Sequence, residues 1–243
     1  MPQSVGPLLR PPFDIPMNVV HPYAGNLHFE HKAPPLMSRL VSRALAPPTR
    51  LRVGLFGGSF NPPHQGHRHA SLVALRRLQL DAVWWLVTPG NPLKEARDLA
   101  PLDQRLKAAV DLENHPRIHV TTLESNLGTR YTADTLAAIK RHFPAVNFVW
   151  IMGADNLATI HRWRNWQGIF TTMPVAVVAR PGYALKALAS PAARRFSDSR
   201  IDPDDAALLP FLRPPAWTYL DDRLDPASST AIRARGLWPV GPA

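Results

Sequence analysis

Arg52-Val53-Gly54-Leu55-Phe56-Gly57-Gly58-Ser59-Phe60-Asn61-Pro62-Pro63-His64-Gln65-Gly66-His67 is the stretch from which the fold is read. Residues 52–56 are nearly continuously apolar after Arg52, which predicts a strand buried on both faces. Gly57 and Gly58 let the backbone turn sharply and approach a phosphate closely. The helix that follows presents its amide-rich, partially positive N-terminus to that anion. His64 and His67 open this helix three residues apart and therefore share a face. Both imidazoles can point at one phosphate and donate hydrogen bonds where charge builds during a transfer. A glycine turn with two surface histidines would be commonplace; strand, glycine pair, Pro-Pro and H-x-G-H in one run is far more specific.

From Leu51 onward, short β-rich runs alternate with helical ones, the pattern of βαβ units on a parallel sheet. Strands are expected at Arg52–Phe56, Ala82–Thr88, Ile118–Leu123, Asn147–Met152 and Val175–Ala179, and helices at Gly66–Gln79, Leu102–Asn114, Thr132–His142 and roughly Asn156–Phe170. The fold class is α/β: a single Rossmann-like, doubly wound parallel sheet of about five to six strands with helices on both faces. Ligands bind such sheets at the carboxyl ends of the strands, where strand order reverses. Residues 1–50 differ in texture, holding 10 of the 27 prolines, and read as a poorly ordered extension ahead of a domain spanning 51–243. Within it only Met37–Leu45 has helical spacing, and Met37 is an alternative start.

Composition narrows the partners. The 243 residues contain no cysteine, so neither disulfides nor thiolate metal sites enter the fold. A formal net charge of +10 implies an anionic partner. Its arginines are scattered in pairs such as Arg76-Arg77 and Arg194-Arg195, without the long like-charge run of a nucleic-acid tail, and a solvated basic surface explains most of them. There is neither a membrane-length apolar stretch nor a signal-peptide pattern, so a soluble, cytoplasmic protein is expected, with no membrane or nucleic-acid partner.

Further motifs follow the other strands. Thr88-Pro89-Gly90-Asn91-Pro92-Leu93-Lys94 carries a lysine able to meet a phosphate as a mobile point charge, or simply to be solvated. Thr132 stands where a helix cap is expected, and Asp155 where a helix dipole favours an acid. Trp163 and Trp166, three apart, are read as sharing one helical face, whether in the core or at a ligand. Ser228-Ser229-Thr230, opening a short helix with Arg233 one turn later, forms a triphosphate cradle.

G-G-S-F-N-P-P-H-x-G-H resembles the T/HxGH signature of the nucleotidyltransferase superfamily, and its F-N-P-x-H form looks like bacterial nicotinate-nucleotide adenylyltransferase. The resemblance runs from Val53 to Arg233. It takes in the loop at Thr88–Lys94, similar to P-x-x-N-P-x-K, the S-Y-T-x-x-T-L segment at Arg130–Leu136, the I-x-G-x-D segment at Ile151–Asp155 and the S-S-T-x-I-R signature at Ser228–Arg233. It implies transfer of the adenylyl group of ATP to nicotinate mononucleotide, with release of pyrophosphate. His64, His67, Lys94 and Arg233 would be catalytic. ATP would lie against Gly57, Gly58, Ser59, Phe60, Gly153, Asp155, Ser228, Ser229 and Thr230. The mononucleotide would lie against Asn91, Tyr131, Thr132, Trp163 and Arg164, with the Trp163 indole stacked on the pyridine ring. Mg2+ would enter with ATP, without a protein ligand set. Relatives often carry tyrosine at the place of Arg164 and continue with a further C-terminal helix. The open alternatives are another adenylyl- or cytidylyltransferase of this fold, such as one acting on phosphopantetheine, and a non-catalytic basic RNA-binding module.

Overall fold

The computed structural model describes residues 50–90, 99–222 and 225–238. The proline-rich extension and its Met37–Leu45 helix therefore lie outside the described residues, as do Asn91 and Lys94. Six strands form one all-parallel sheet in the order β3-β2-β1-β4-β5-β6: β1 Arg52–Gly58, β2 Ala82–Val87, β3 Ile118–Thr121, β4 Asn147–Gly153, β5 Val175–Val178 and β6 Trp217–Leu220. Strand order reverses between β1 and β4, which pair from Arg52 against Asn147 to Phe56 against Ile151. The five expected strands are all present. β6 (Trp-Thr-Tyr-Leu) lacked a signal, because four residues after a proline-rich turn are too short to show a period.

The strands are buried throughout their centres because helices cover both faces. One apolar layer gathers Val73, Leu75, Val83, Trp85, Ile151 and Leu209; the other gathers Leu55, Leu136, Trp150, Ile169, Phe170 and Trp217. The first helices are α1 Gln65–Arg77, α2 Leu102–Leu112, α3 Leu123–Leu127 and α4 Thr132–His142. After β4 come α5 Ala154–Thr159 and α6 Trp166–Thr172, then α7 Ala184–Leu188, α8 Pro191–Arg195 and, after β6, α9 Ser229–Ala234.

One expected helix is corrected. The run from Asn156 to Phe170 is two helices, joined by a 3-10 turn at Ile160–Arg162, an extended Trp163 and a left-handed Asn165 at φ 50°. The two tryptophans consequently do not share a helical face. Trp166 turns inward, edge-on to Phe170 and Phe196, while Trp163 lines a cleft. Alternating polar and aromatic residues, His161-Arg162-Trp163-Arg164-Asn165-Trp166, imitate a helical period across a break that only tertiary packing requires.

Candidate active site

The motifs carried by the described residues converge on the carboxyl edge of the sheet. At the end of β1, any side chain on Gly57 would collide with the Trp150 indole of the neighbouring strand, so this crossing needs glycine. Phe60 follows in the left-handed region at φ 45°, an unfavourable conformation for a residue with a Cβ, and its ring is locked in the core, stacked on Trp85 at 4.9 Å. The same ring lies 4.7 Å from His67, so a strained turn buttresses a histidine.

His64 is the cap of α1 rather than its first residue. Its Nδ1 accepts the Gly66 amide at 3.1 Å, and His67 Nδ1 accepts the His64 amide at 3.2 Å, a reciprocal capping box. A ring nitrogen that accepts cannot carry the proton, so both imidazoles are held in the tautomer protonated on Nε2. The two rings lie 3.9 Å apart. Burial, assisted by the nearby Arg180 charge and opposed by Asp225, lowers the His64 pKa to about 4. His64 is therefore a neutral hydrogen-bond donor at neutral pH.

The C-terminal motif clasps this turn. Ser228 Oγ accepts the Ala231 amide at 3.1 Å as the cap of α9, and Ser229 Oγ donates to the Pro62 carbonyl at 2.8 Å. Arg233 donates to the Asn61 carbonyl and, at 3.4 Å, to Thr230 Oγ1. Trp238 Nε1 donates to Asn61 Oδ1 at 2.7 Å, an oxygen that also accepts the Ala100 amide at 3.1 Å. The Ser228–Arg233 motif is thus packed against the turn that follows β1, with its side chains bonded to the protein itself. Arg180, just beyond β5, donates to the Ala227 carbonyl at 2.8 Å and stands 3.7 Å from Asp155 Oδ1.

On the other side of the turn, a cleft of about 400 Å³ opens between Gly57–Ser59 and the residues around α4 and the helix break. Trp163, Trp150 and Tyr131 supply flat walls, and Arg130, Arg162 and Arg164 supply charge. Arg164 lies over the Tyr131 ring at 4.4 Å, a cation–π contact that defines its place. Thr132 is the first residue of α4, while Tyr131 holds the cap position, so the alternative of a capping threonine falls away and Thr132 faces the cleft. Glu124 is the acidic group in the lining. Burial raises its pKa, against hydrogen bonds from Thr88 and Thr135 that favour the charged form. Among the described residues no three acids or histidines cluster to hold a metal ion.

Sequence reading passed over Arg180, Glu124, Arg162 and Arg105. Arg180 had a signal, a cation at the carboxyl end of a predicted strand just before Pro181-Gly182. Arg105 had one as well, because it shares the apolar stripe of α2 with Leu102, Leu106 and Ala109.

A cytidylyltransferase-like family model matches residues 55–235. The chain is 58% identical over 186 residues to a Cereibacter sphaeroides protein named "Probable nicotinate-nucleotide adenylyltransferase", a match covering 76% of this chain and 98% of that one. It is 56% identical over 185 residues to a Methylorubrum extorquens protein of the same name, covering 76% and 100%. A solved structure of Plasmodium falciparum nicotinic acid mononucleotide adenylyltransferase complexed with NaAD aligns with a TM-score of 0.57 at 16% identity, over 76% of this chain and 83% of that one, and so shares the fold.

Proposed function

Because the chain belongs to the cytidylyltransferase-like nucleotidyltransferases and, among them, to the nicotinate-nucleotide adenylyltransferase family, we propose that it transfers the adenylyl group of ATP to nicotinate mononucleotide, giving deamido-NAD and pyrophosphate in NAD biosynthesis. One observation carries the site assignment: a histidine pair whose Nδ1 atoms cap α1 stands on one side of the glycine turn, and a cleft walled by an indole and rimmed with guanidinium groups opens on the other. The mononucleotide binds in the cleft, its pyridine ring against Trp163 and its carboxylate among the donors of Thr132, Tyr131 and Arg164. ATP lies along Gly57–Phe60, Gly153, Asp155 and Ser228–Thr230. The acceptor phosphate oxygen attacks the α-phosphorus in line, that oxygen–phosphorus bond forms, the bond to the β-phosphate bridge breaks, and pyrophosphate leaves. His64 and His67 donate to the oxygens on which charge grows, while Lys94 and Arg233 neutralise the leaving phosphates.

No protein nucleophile is needed, because positioning and charge neutralisation suffice for such a transfer. ATP enters as its Mg2+ complex, the ion supplying charge neutralisation on the phosphates. The enzyme works in the cytoplasm; among the described residues no helix is long and apolar enough to cross a membrane.

The acid is preferred over the amide. A carboxylate accepts hydrogen bonds only, whereas the nicotinamide NH2 would be turned toward other donors and left unpaired, at a cost of about 1–3 kcal/mol. The test is pyrophosphate release across a panel of mononucleotides at saturating Mg-ATP. kcat/KM should be highest for nicotinate mononucleotide, and Trp163→Ala should weaken both pyridine nucleotides without reversing their order. Equal values for acid and amide would refute the acceptor assignment, and absence of pyrophosphate release with every acceptor would refute adenylyl transfer.

A further inference from the structure

Arg105 is 1% exposed, although it sits on a helix at the edge of the domain. Arginine is almost never buried so completely unless its rigid fork of five donors is matched. Here the match is made by carbonyl oxygens drawn from separate pieces of chain. Nε donates to Ala100 at 2.8 Å; Nη1 donates to Ser59 at 2.7 Å and to Thr88 at 2.8 Å; Nη2 donates to Pro89 at 3.3 Å. Thr88 and Pro89 follow β2 ahead of residues 91–98, and Ala100 lies just beyond them. One guanidinium thus grips both roots of the segment that bears Asn91 and Lys94 and ties them to the turn after β1.

Peptide planarity carries that grip further. In a trans peptide the carbonyl and the following amide point in opposite directions, so holding the Ser59 and Pro89 oxygens also sets the amides of Phe60 and Gly90. Phe60 is the residue in the left-handed region, and its ring backs His67 at 4.7 Å. Ser59, Thr88 and Gly90 all line the cleft. The bonds of Arg105 therefore end on the backbone that shapes the site, and a continuous path runs from Arg105 through Ser59 and Phe60 to His67.

We propose that Arg105 is a positioning residue for adenylyl transfer: it locks the glycine turn and the end of β2 in the arrangement from which His67 donates to the transition state. The proposal rests on the adenylyl-transfer reading above. Arg105→Lys keeps the charge and the aliphatic stem but cannot span four carbonyls with one ammonium. It should fold and slow kcat by roughly tenfold or more, with KM for each substrate changed by less than about threefold. Arg105→Met should be slower still. A purely structural role would give the same loss in any background. In a His67→Ala background, Arg105→Lys should instead slow kcat by less than about twofold, because the group it positions is gone.

Kinetics of the four proteins of this cycle, at a temperature where circular dichroism shows each to be folded, provide the test. A folded Arg105→Lys with kcat within about twofold of the parent overturns the proposal, as does an equal loss in both backgrounds. Failure of Arg105→Lys to fold counts against it too, since the lysine was expected to preserve the domain. A parent enzyme without adenylyl transfer would overturn the functional reading, and this proposal with it.

Discussion

In the proposed mechanism His64 and His67 each use both nitrogens of one ring. Nδ1 closes the capping box of α1, and that structural bond leaves the proton on the nitrogen a phosphate would meet. His67→Ala should lower kcat by roughly a hundredfold or more while leaving ATP affinity within a few fold, because a donor used in the transition state is lost. Steady-state kinetics with a parallel ATP-binding titration check this, and normal turnover would refute the role. His64 also makes the fold acid-sensitive. Its folded pKa of about 4 lies below the ordinary 6.5, so between those pH values the unfolded chain binds a proton that the folded one does not. Its contribution to stability is fully present above pH 6.5 and is lost as pH falls toward 4, on the order of 3 kcal/mol in all. His64→Asn keeps an effective cap and removes the titration. Its Tm should therefore fall less than that of the parent between pH 6.5 and 4.5, and parallel Tm–pH curves would sink the assignment.

The decisive element is the break between α5 and α6. Trp163 reaches the cleft because the chain leaves the helix at Arg162 and turns through the left-handed Asn165 before re-entering it. Asparagine visits that region more readily than any β-branched residue. Asn165→Val should therefore cost about 1–2 kcal/mol, lowering Tm by a few degrees, and should raise KM for the mononucleotide more than for ATP. Asn165→Gly should be nearly silent in both measurements. Equal behaviour of the two variants would show that the left-handed turn does not position Trp163.

For the molecule as a whole, we propose that residues 1–50 are an extension ahead of a domain spanning 51–243. Their prolines leave no periodic apolar face with which to join a core, and the Cereibacter match takes in 98% of that protein within 76% of this chain. Deleting residues 1–45 should leave Tm and kcat/KM essentially unchanged; insoluble protein after truncation would show that the extension packs. Local chemistry was legible along the chain wherever it is written in consecutive residues. The glycine turn, the two histidines, the apolar strands and the α9 motif each depend on neighbours a few positions apart, and their spacing alone implies a phosphate site on a parallel sheet. Other features depend on distant chain. The side of Trp163, the grip of Arg105 on the carbonyls of Ser59, Thr88, Pro89 and Ala100, and the approach of Arg180 to Asp155 and Ala227 exist only once strands far apart in sequence lie side by side. A buried donor takes whatever acceptors the fold brings within reach, and periodicity carries no record of which those will be.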